Sequence, residues 1–412
     1  MSQEISQAVS PRANPLTRLI PADFMAPAAV EKIRSRSLVV GVLTSVLALI
    51  GLFTSPDAFY RAYLLGFMAW LGVSLGSLGL LIVIHLTNGR WGLVIRRILE
   101  AAAKNIWAMF FAFIPLCFGV RRLYPWANAD ALANSETLRW IHGQYLSLDQ
   151  FTVRGAIYFC IWLLVIHFFI QWSRQQDKPG NRSHARSAAL AGPAALLFGF
   201  TVTFGAVDWV MSLSYGWTST IYGLLFVIGQ LLSAMCFAVV IAVILARYEP
   251  MKSILHIDNL HDYGKWMLAF TMVWAYFSFS QWLIMWAGNL PEEIVWYRDR
   301  LHGGWQQFGL FVAVFHFIVP FMILLSQQLK KDKGRLVVVA CWLLFMRYLD
   351  LYWYIMPNFE NKAGFYFHWL NIVVPVAMGG LWLALFFRNL QQAPLLPLYA
   401  PLTGAVLEPA HE

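Results

Sequence analysis

Long apolar runs separated by short polar stretches organise this chain. About 20 apolar residues are needed to cross a hydrocarbon core roughly 30 Å thick. Ten runs meet that need, at approximately 37–54, 62–86, 104–121, 153–173, 187–212, 218–246, 264–288, 304–329, 336–356 and 366–388. Strands of a membrane barrel would be about half as long and would alternate apolar with polar residues. The runs therefore predict helices, and the chain is expected to be an all-α integral membrane protein. Its expected parts are a polar segment over residues 1–36, a ten-helix domain over 37–390 and a tail over 391–412. The segment carries Pro11, Pro15, Pro21 and Pro27 and does not read as a signal peptide. The tail is rich in proline and leucine and is expected to lie extended on the surface. The longest connection, 122–152, leaves no room for a separate soluble domain.

Composition strengthens the reading. The 412 residues are 59% hydrophobic and only 12% charged, against roughly 25% charged in a soluble domain. That excludes an ordinary soluble enzyme, a disordered chain and a nucleic-acid-binding domain. The formal net charge of +9 then concerns topology. Of the 30 Lys and Arg residues, 21 fall in the N-terminal segment, in 87–104, 174–187, 247–265 and 330–335, or at Arg388, where the last run gives way to the C-terminal tail. Basic residues collect on the cytoplasmic side, so both termini are expected there. The single cysteines Cys117, Cys160, Cys236 and Cys341 read as small core residues. Without CxxC or CxxCH spacing they offer no iron–sulfur or covalent haem site.

One short pattern occurs twice. Helix 4 carries Val165-Ile166-His167-Phe168 and helix 8 carries Val314-Phe315-His316-Phe317. The helices after them carry Asp208 and Asp350 at similar places. The expected architecture is two parallel-repeat four-helix bundles, helices 2–5 (61–213) and 6–9 (218–357), with helices 1 and 10 peripheral.

An ionisable side chain in hydrocarbon costs about 2.5–3.5 kcal/mol on insertion scales and usually faces the bundle interior or a cavity. Arg347 and Asp350 are one turn apart and face the same way, with Tyr354 extending the stripe. They read either as an ion pair that fixes packing or as a gate in a proton or quinol path. Thr201, Asp208 and Ser212 share a face of helix 5, where Asp208 is an interfacial cap or a proton acceptor. Pro320 lacks an N–H and is expected to free the His316 carbonyl, and Pro375 that of Asn371. Helix 7 carries a stripe of Thr271, Ser278 and Gln281 with Trp274 and Trp282 near it. Helix 2 carries Ser74, Ser77 and His85 beside Gly72, Gly76 and Gly79. The proton-path candidates are Asp208, His316, Arg347, Asp350, Tyr354, His167, Ser278, Gln281 and His85.

From helix 5 onward the sequence resembles one family. The residues that carry the resemblance are Asp208–Leu213 (DWVMSL), Gly216–Gly223 (GWTSTIYG), Phe279–Trp286 (FSQWLIMW), Asn289–Glu293 (NLPEE), Gly303–Trp305 (GGW) and Tyr348–Pro357 (YLDLYWYIMP). In that order they are similar to the ActF-type membrane subunit of bacterial alternative complex III. That complex is a quinol:cytochrome c or quinol:electron-acceptor oxidoreductase with NrfD-like membrane subunits. The first 150 residues match only in length and hydropathy.

The resemblance implies a multi-pass protein of the bacterial inner membrane and a place in a respiratory chain. It implies partners: a quinol-binding NrfD-like sister subunit, an iron–sulfur subunit, multihaem and monohaem cytochrome c subunits, small anchors and a terminal oxidase. Haem c and iron–sulfur clusters belong to those partners, and menaquinol or ubiquinol is the substrate of the complex. This chain is expected to hold no redox cofactor, metal or catalytic residue, and to serve a structural and proton-translocating role. Asp208, His316, Arg347 and Asp350 are the positions matched to that role. Two other readings stay open. One is a quinol-binding anchor with the head group at His167 and Asp208. The other is a stand-alone secondary transporter, which ten helices, a repeat and proline-broken helices also suit.

Overall fold

The computed structural model describes residues 21–178, 183–359, 364–400 and 403. The expectations for residues 1–20 and for the tail beyond 403 lie outside the described residues. Regular structure among the described residues is helical throughout, without a strand. Ten helices are long and apolar enough to cross a membrane. They are α1 (Ala29–Thr54), α2 (Pro56–Thr87), α3 (Arg90–Leu123), α4 (Leu148–Gln175), α5 (Ser183–Leu213), α6 (Tyr222–Leu245), α7 (Ile257–Gly288), α8 (Trp305–Leu325), α9 (Lys333–Asn358) and α10 (Leu370–Leu390). The chain is an all-α, multi-pass integral membrane protein.

Local chemistry sets the breaks. Pro56 opens α2 at a position where a missing N–H costs nothing. Asn88 and Asn289 close α2 and α7 in the left-handed conformation that asparagine tolerates. The 122–152 connection folds into two short helices, Ala129–Asn134 and Glu136–Gln144. A further short helix, Pro291–Arg298, lies between α7 and α8.

α2 and α6 are the central helices. α2 packs against α3, α5, α6 and α10, and α6 packs against α5, α7 and α9. Gly76 of α2 lets the two centres meet, because an added Cβ would run into the Gln230 carbonyl of α6. α1 pairs with α10 and turns Leu43, Val46 and Phe53 outward, which suits a lipid-facing surface. The two described ends of the chain meet at one face. There Leu395 donates its N–H to the Phe24 carbonyl at 2.7 Å, and Gln391 donates to Glu31 at 3.1 Å. We call this the tail face and the opposite one the far face.

Three expectations need correcting. Residues 87–104, counted as a loop, are mostly helix enclosed by protein. Arg96 and Arg97 each pair with Glu100 at 3.0 Å, and Arg97 reaches Asp177 at 2.6 Å. These mutual pairings offset much of the desolvation that made the segment read as solvated. The tail does not lie exposed up to Ala400. Leu395, Leu396 and Leu398 are fully buried, and Tyr399 donates its N–H to the Gln176 carbonyl at 3.0 Å. The leucines between its prolines supply apolar area worth burying. Finally, only Cys236 of the four cysteines is buried, while Cys160 and Cys341 are exposed. A helix face toward lipid is as apolar as a core and accepts a thiol equally well.

Candidate functional site

Arg347 and Asp350 project from α9 into the molecule, only 4% and 1% exposed. The Arg347 guanidinium donates through Nη1 to Asp350 Oδ2. Trp274 of α7 donates its indole N–H to the same oxygen at 3.1 Å. Asp350 Oδ1 has no partner among the described residues. Gly229 of α6 makes the site possible, since a Cβ there would strike the guanidinium. The Phe226 ring lies 5.7 Å from the Arg347 charge.

Asp350 borders a cavity of about 550 Å³ walled by α6, α7, α8, α9 and the short helix Pro291–Arg298. Ser278, Gln281, Arg300 and Tyr354 line it, with Trp274, Trp296 and Trp305 as aromatic walls. Ser278 Oγ and the indole N–H groups of Trp305 and Trp353 have no hydrogen-bond partner among the described residues. Gln281 accepts from the Ser219 hydroxyl. The rim includes exposed Phe279 and Leu310, so the cavity opens between α7 and α8. Such a space holds several waters at about 30 Å³ each, or one small polar head group.

Arg300 is the cation that sequence reasoning missed. It is buried, and it donates to the Trp296, Trp353 and Tyr354 carbonyls at 2.9, 3.3 and 3.0 Å and to Asn358 Oδ1 at 3.1 Å. Two of those carbonyls belong to the last turn of α9, where the helix dipole favours a positive charge. Its charge also lies 3.6 Å over the Trp296 ring. Burial pulls the Arg300 guanidinium down to about 10, so it stays charged at neutral pH. The clustered aromatics at 296–297 and 353–354 were the available signal, since a buried cation takes ring faces and carbonyls when carboxylates are scarce.

His316 is fully buried behind Trp274, ring centroids 4.1 Å apart, and neither ring nitrogen has a partner among the described residues. The helix around it is a π-turn, Ala313–Ile318. Val319 donates to the Val314 carbonyl in that wider register. The carbonyl that Pro320 leaves free is therefore Phe315's, one residue earlier than expected, and Trp342 donates to it at 2.9 Å. Pro375 acts as expected, and the freed Asn371 carbonyl accepts from the Tyr348 hydroxyl.

Asp208 lies in the other half of the protein and is fully enclosed. Arg154 of α4 grips both its oxygens, at 2.9 and 3.0 Å, and Tyr158 donates to it at 2.8 Å. Arg154 also donates to the Tyr145 carbonyl at 2.9 Å and stacks over that ring at 3.8 Å. Burial pushes the Tyr145 hydroxyl up to about 12. Behind Asp208 the space between α2, α3, α4 and α5 is filled by Phe67, Phe113, Phe159, Trp162 and Trp209, packed ring to ring. Arg154 stands at the start of the 153–173 run, the seventh residue of α4, and its depth opposite Asp208 is the signal that would have paired them.

The candidates thus separate. Asp350, Tyr354, Ser278 and Gln281 share one cavity, with His316 behind its Trp274 wall, while Arg347, paired to Asp350, borders a second cavity of about 470 Å³ with Tyr348 and Asn371. Asp208 stands apart. His167 does not meet Asp208, because it faces outward from α4 while Asp208 faces inward. His85 is buried toward the tail face, its ring 4.7 Å from Phe169, beside a cavity of only about 20 Å³ shared with Arg96 and His184. Among the described residues no three His, Cys, Asp or Glu side chains converge as a metal site.

Fold and site together define a multi-pass helical membrane protein with a buried, half-satisfied carboxylate beside a lateral cavity. The chain matches no protein-family model and no curated protein.

Proposed function

We propose that this chain is a membrane subunit of a respiratory quinol-oxidising assembly of the alternative complex III type, and that Asp350 is its proton-exchanging group. The tail face is cytoplasmic in this reading, and the membrane is the bacterial inner membrane. Helices 2–5 and 6–9 are then the two parallel repeats of an NrfD-like fold. Sister, iron–sulfur and haem c subunits carry the electron transfer, with menaquinol or ubiquinol as substrate.

The observation that carries the reading is Asp350 itself. One oxygen is held by Arg347 and Trp274, and the other is buried without a partner among the described residues, in a side chain that borders a space large enough for water. A carboxylate held on one oxygen and unpartnered on the other keeps a position at which a proton can be taken up without breaking its bonds to Arg347 and Trp274. Arg347 holds the charge when the proton leaves. The test is Asp350→Asn in the intact assembly, reading protons released per electron. Normal electron transfer with fewer protons supports the role; unchanged stoichiometry removes it.

A second reading, a quinol-binding anchor, is favoured by the same cavity rather than by His167 and Asp208. The cavity offers an acceptor at Asp350 Oδ1, donors at Trp305 and Trp353, aromatic walls and a lateral mouth. A bound quinone in this cavity would favour it.

A further inference from the structure

α4 turns His167 outward together with Leu164, 58% exposed, and Phe168, 39% exposed. His167 stands seven residues before Arg174, so at 1.5 Å per residue it lies about 10 Å inside that basic end. An ionisable side chain facing hydrocarbon at that depth is costly and rare. No described residue hydrogen-bonds to it. Its counterpart in the repeated pattern, His316, is covered by the Trp274 ring.

The neighbouring helix is open at the same level. Ser183 donates to the Trp172 carbonyl at 2.9 Å, and Trp162 donates to Thr201 at 2.7 Å. His167 and Gly192 both lie between those two contacts on the antiparallel pair α4 and α5. Gly192 and Gly199 are two turns apart, and a Cβ added to either would meet no atom within 4 Å. Bare backbone beside an unpaired imidazole is what a closely docked helix requires.

We propose that the α4–α5 face seats a membrane-spanning helix of a different polypeptide, lying over Gly192 and Gly199 and presenting a carboxylate or hydroxyl to His167. A lipid acyl chain offers the imidazole nothing. A second copy docked through the same face would bring no carboxylate from 157–168 or 192–200, and the hydroxyl there, Tyr158, is turned inward to Asp208. The proposal requires an assembly but no proton role, and its test reads contact rather than turnover. It therefore stands or falls apart from Asp350.

The experiment places the photo-crosslinker p-benzoylphenylalanine at Leu164, one turn from His167, and irradiates native membranes. The expected product is an adduct to a distinct co-purifying polypeptide. Mass spectrometry should place the crosslink in an apolar run that contains Asp, Glu, Ser, Thr or Tyr. Gly192→Leu and His167→Leu should each reduce that adduct about tenfold or more, with the amount of chain in the membrane unchanged. Gly199→Leu replaces Gly192→Leu if the latter lowers that amount. An adduct to lipid alone, to a second copy alone, or one indifferent to the substitutions overturns the proposal.

Discussion

Asp208 near the far end of α5 and Asp350 near the far end of α9 are both buried carboxylates paired with an arginine. Their surroundings differ. Asp208 receives three donors from α4, two from one guanidinium, and stands in front of packed aromatic rings. Asp350 receives two donors on one oxygen, while the other is buried without a partner among the described residues, at the border of the cavity. A saturated buried pair locks helices together, and breaking it is expensive. A half-satisfied pair keeps a site where a proton, a water or a ligand can be accepted. The same side chain is saturated in one half and half-satisfied in the other, and the proposed role of Asp350 rests on that difference. The histidines divide similarly: His167 looks out of the first half and His316 is sealed in the second.

The contrast can be broken at several strengths. Arg154→Ala should be the most damaging, leaving Asp208 buried and unpaired at a loss of about 3–5 kcal/mol. Thermal unfolding of the detergent-solubilised protein measures it, and a mild effect would erase the fastener reading. Asp350→Asn also leaves a buried charge, Arg347, without its counter-ion, but the amide oxygen still accepts from Arg347 and Trp274, so the cost should be smaller, about 2–3 kcal/mol in the same assay. A cost equal to that of Arg154→Ala would make the two sites alike. Trp342→Phe removes the donor to the Phe315 carbonyl and should cost about 0.6 kcal/mol, near the mean for hydrogen bonds within membranes. His167→Leu should change the stability of the isolated chain by less than about 0.5 kcal/mol, as an exposed position does. A large loss there would mean that the imidazole has an internal role.

Much of the fold was legible because apolar runs of membrane length have one structural outcome in lipid. The Arg347–Asp350 pair was legible too, since both partners lie on one helix at helical spacing. Arg154 and Arg300 were not, because their partners come from other parts of the chain and near-interface arginines look like loop charges. The helix over 90–104 escaped for a similar reason: Glu100 neutralises Arg96 and Arg97 only once the chain has folded. The π-turn at His316 depends on register, which proline marks but does not specify. The cavity beside Asp350 is a matter of packing among five elements, and periodicity carries no record of it.

The central claim is that Asp350, and not Asp208, changes protonation during turnover. The most direct measurement is the redox-induced infrared difference spectrum of the intact assembly in the carboxylic-acid carbonyl region. The account predicts a signal that vanishes in Asp350→Asn and persists in Asp208→Asn. A signal that survives Asp350→Asn and disappears with Asp208→Asn would contradict it.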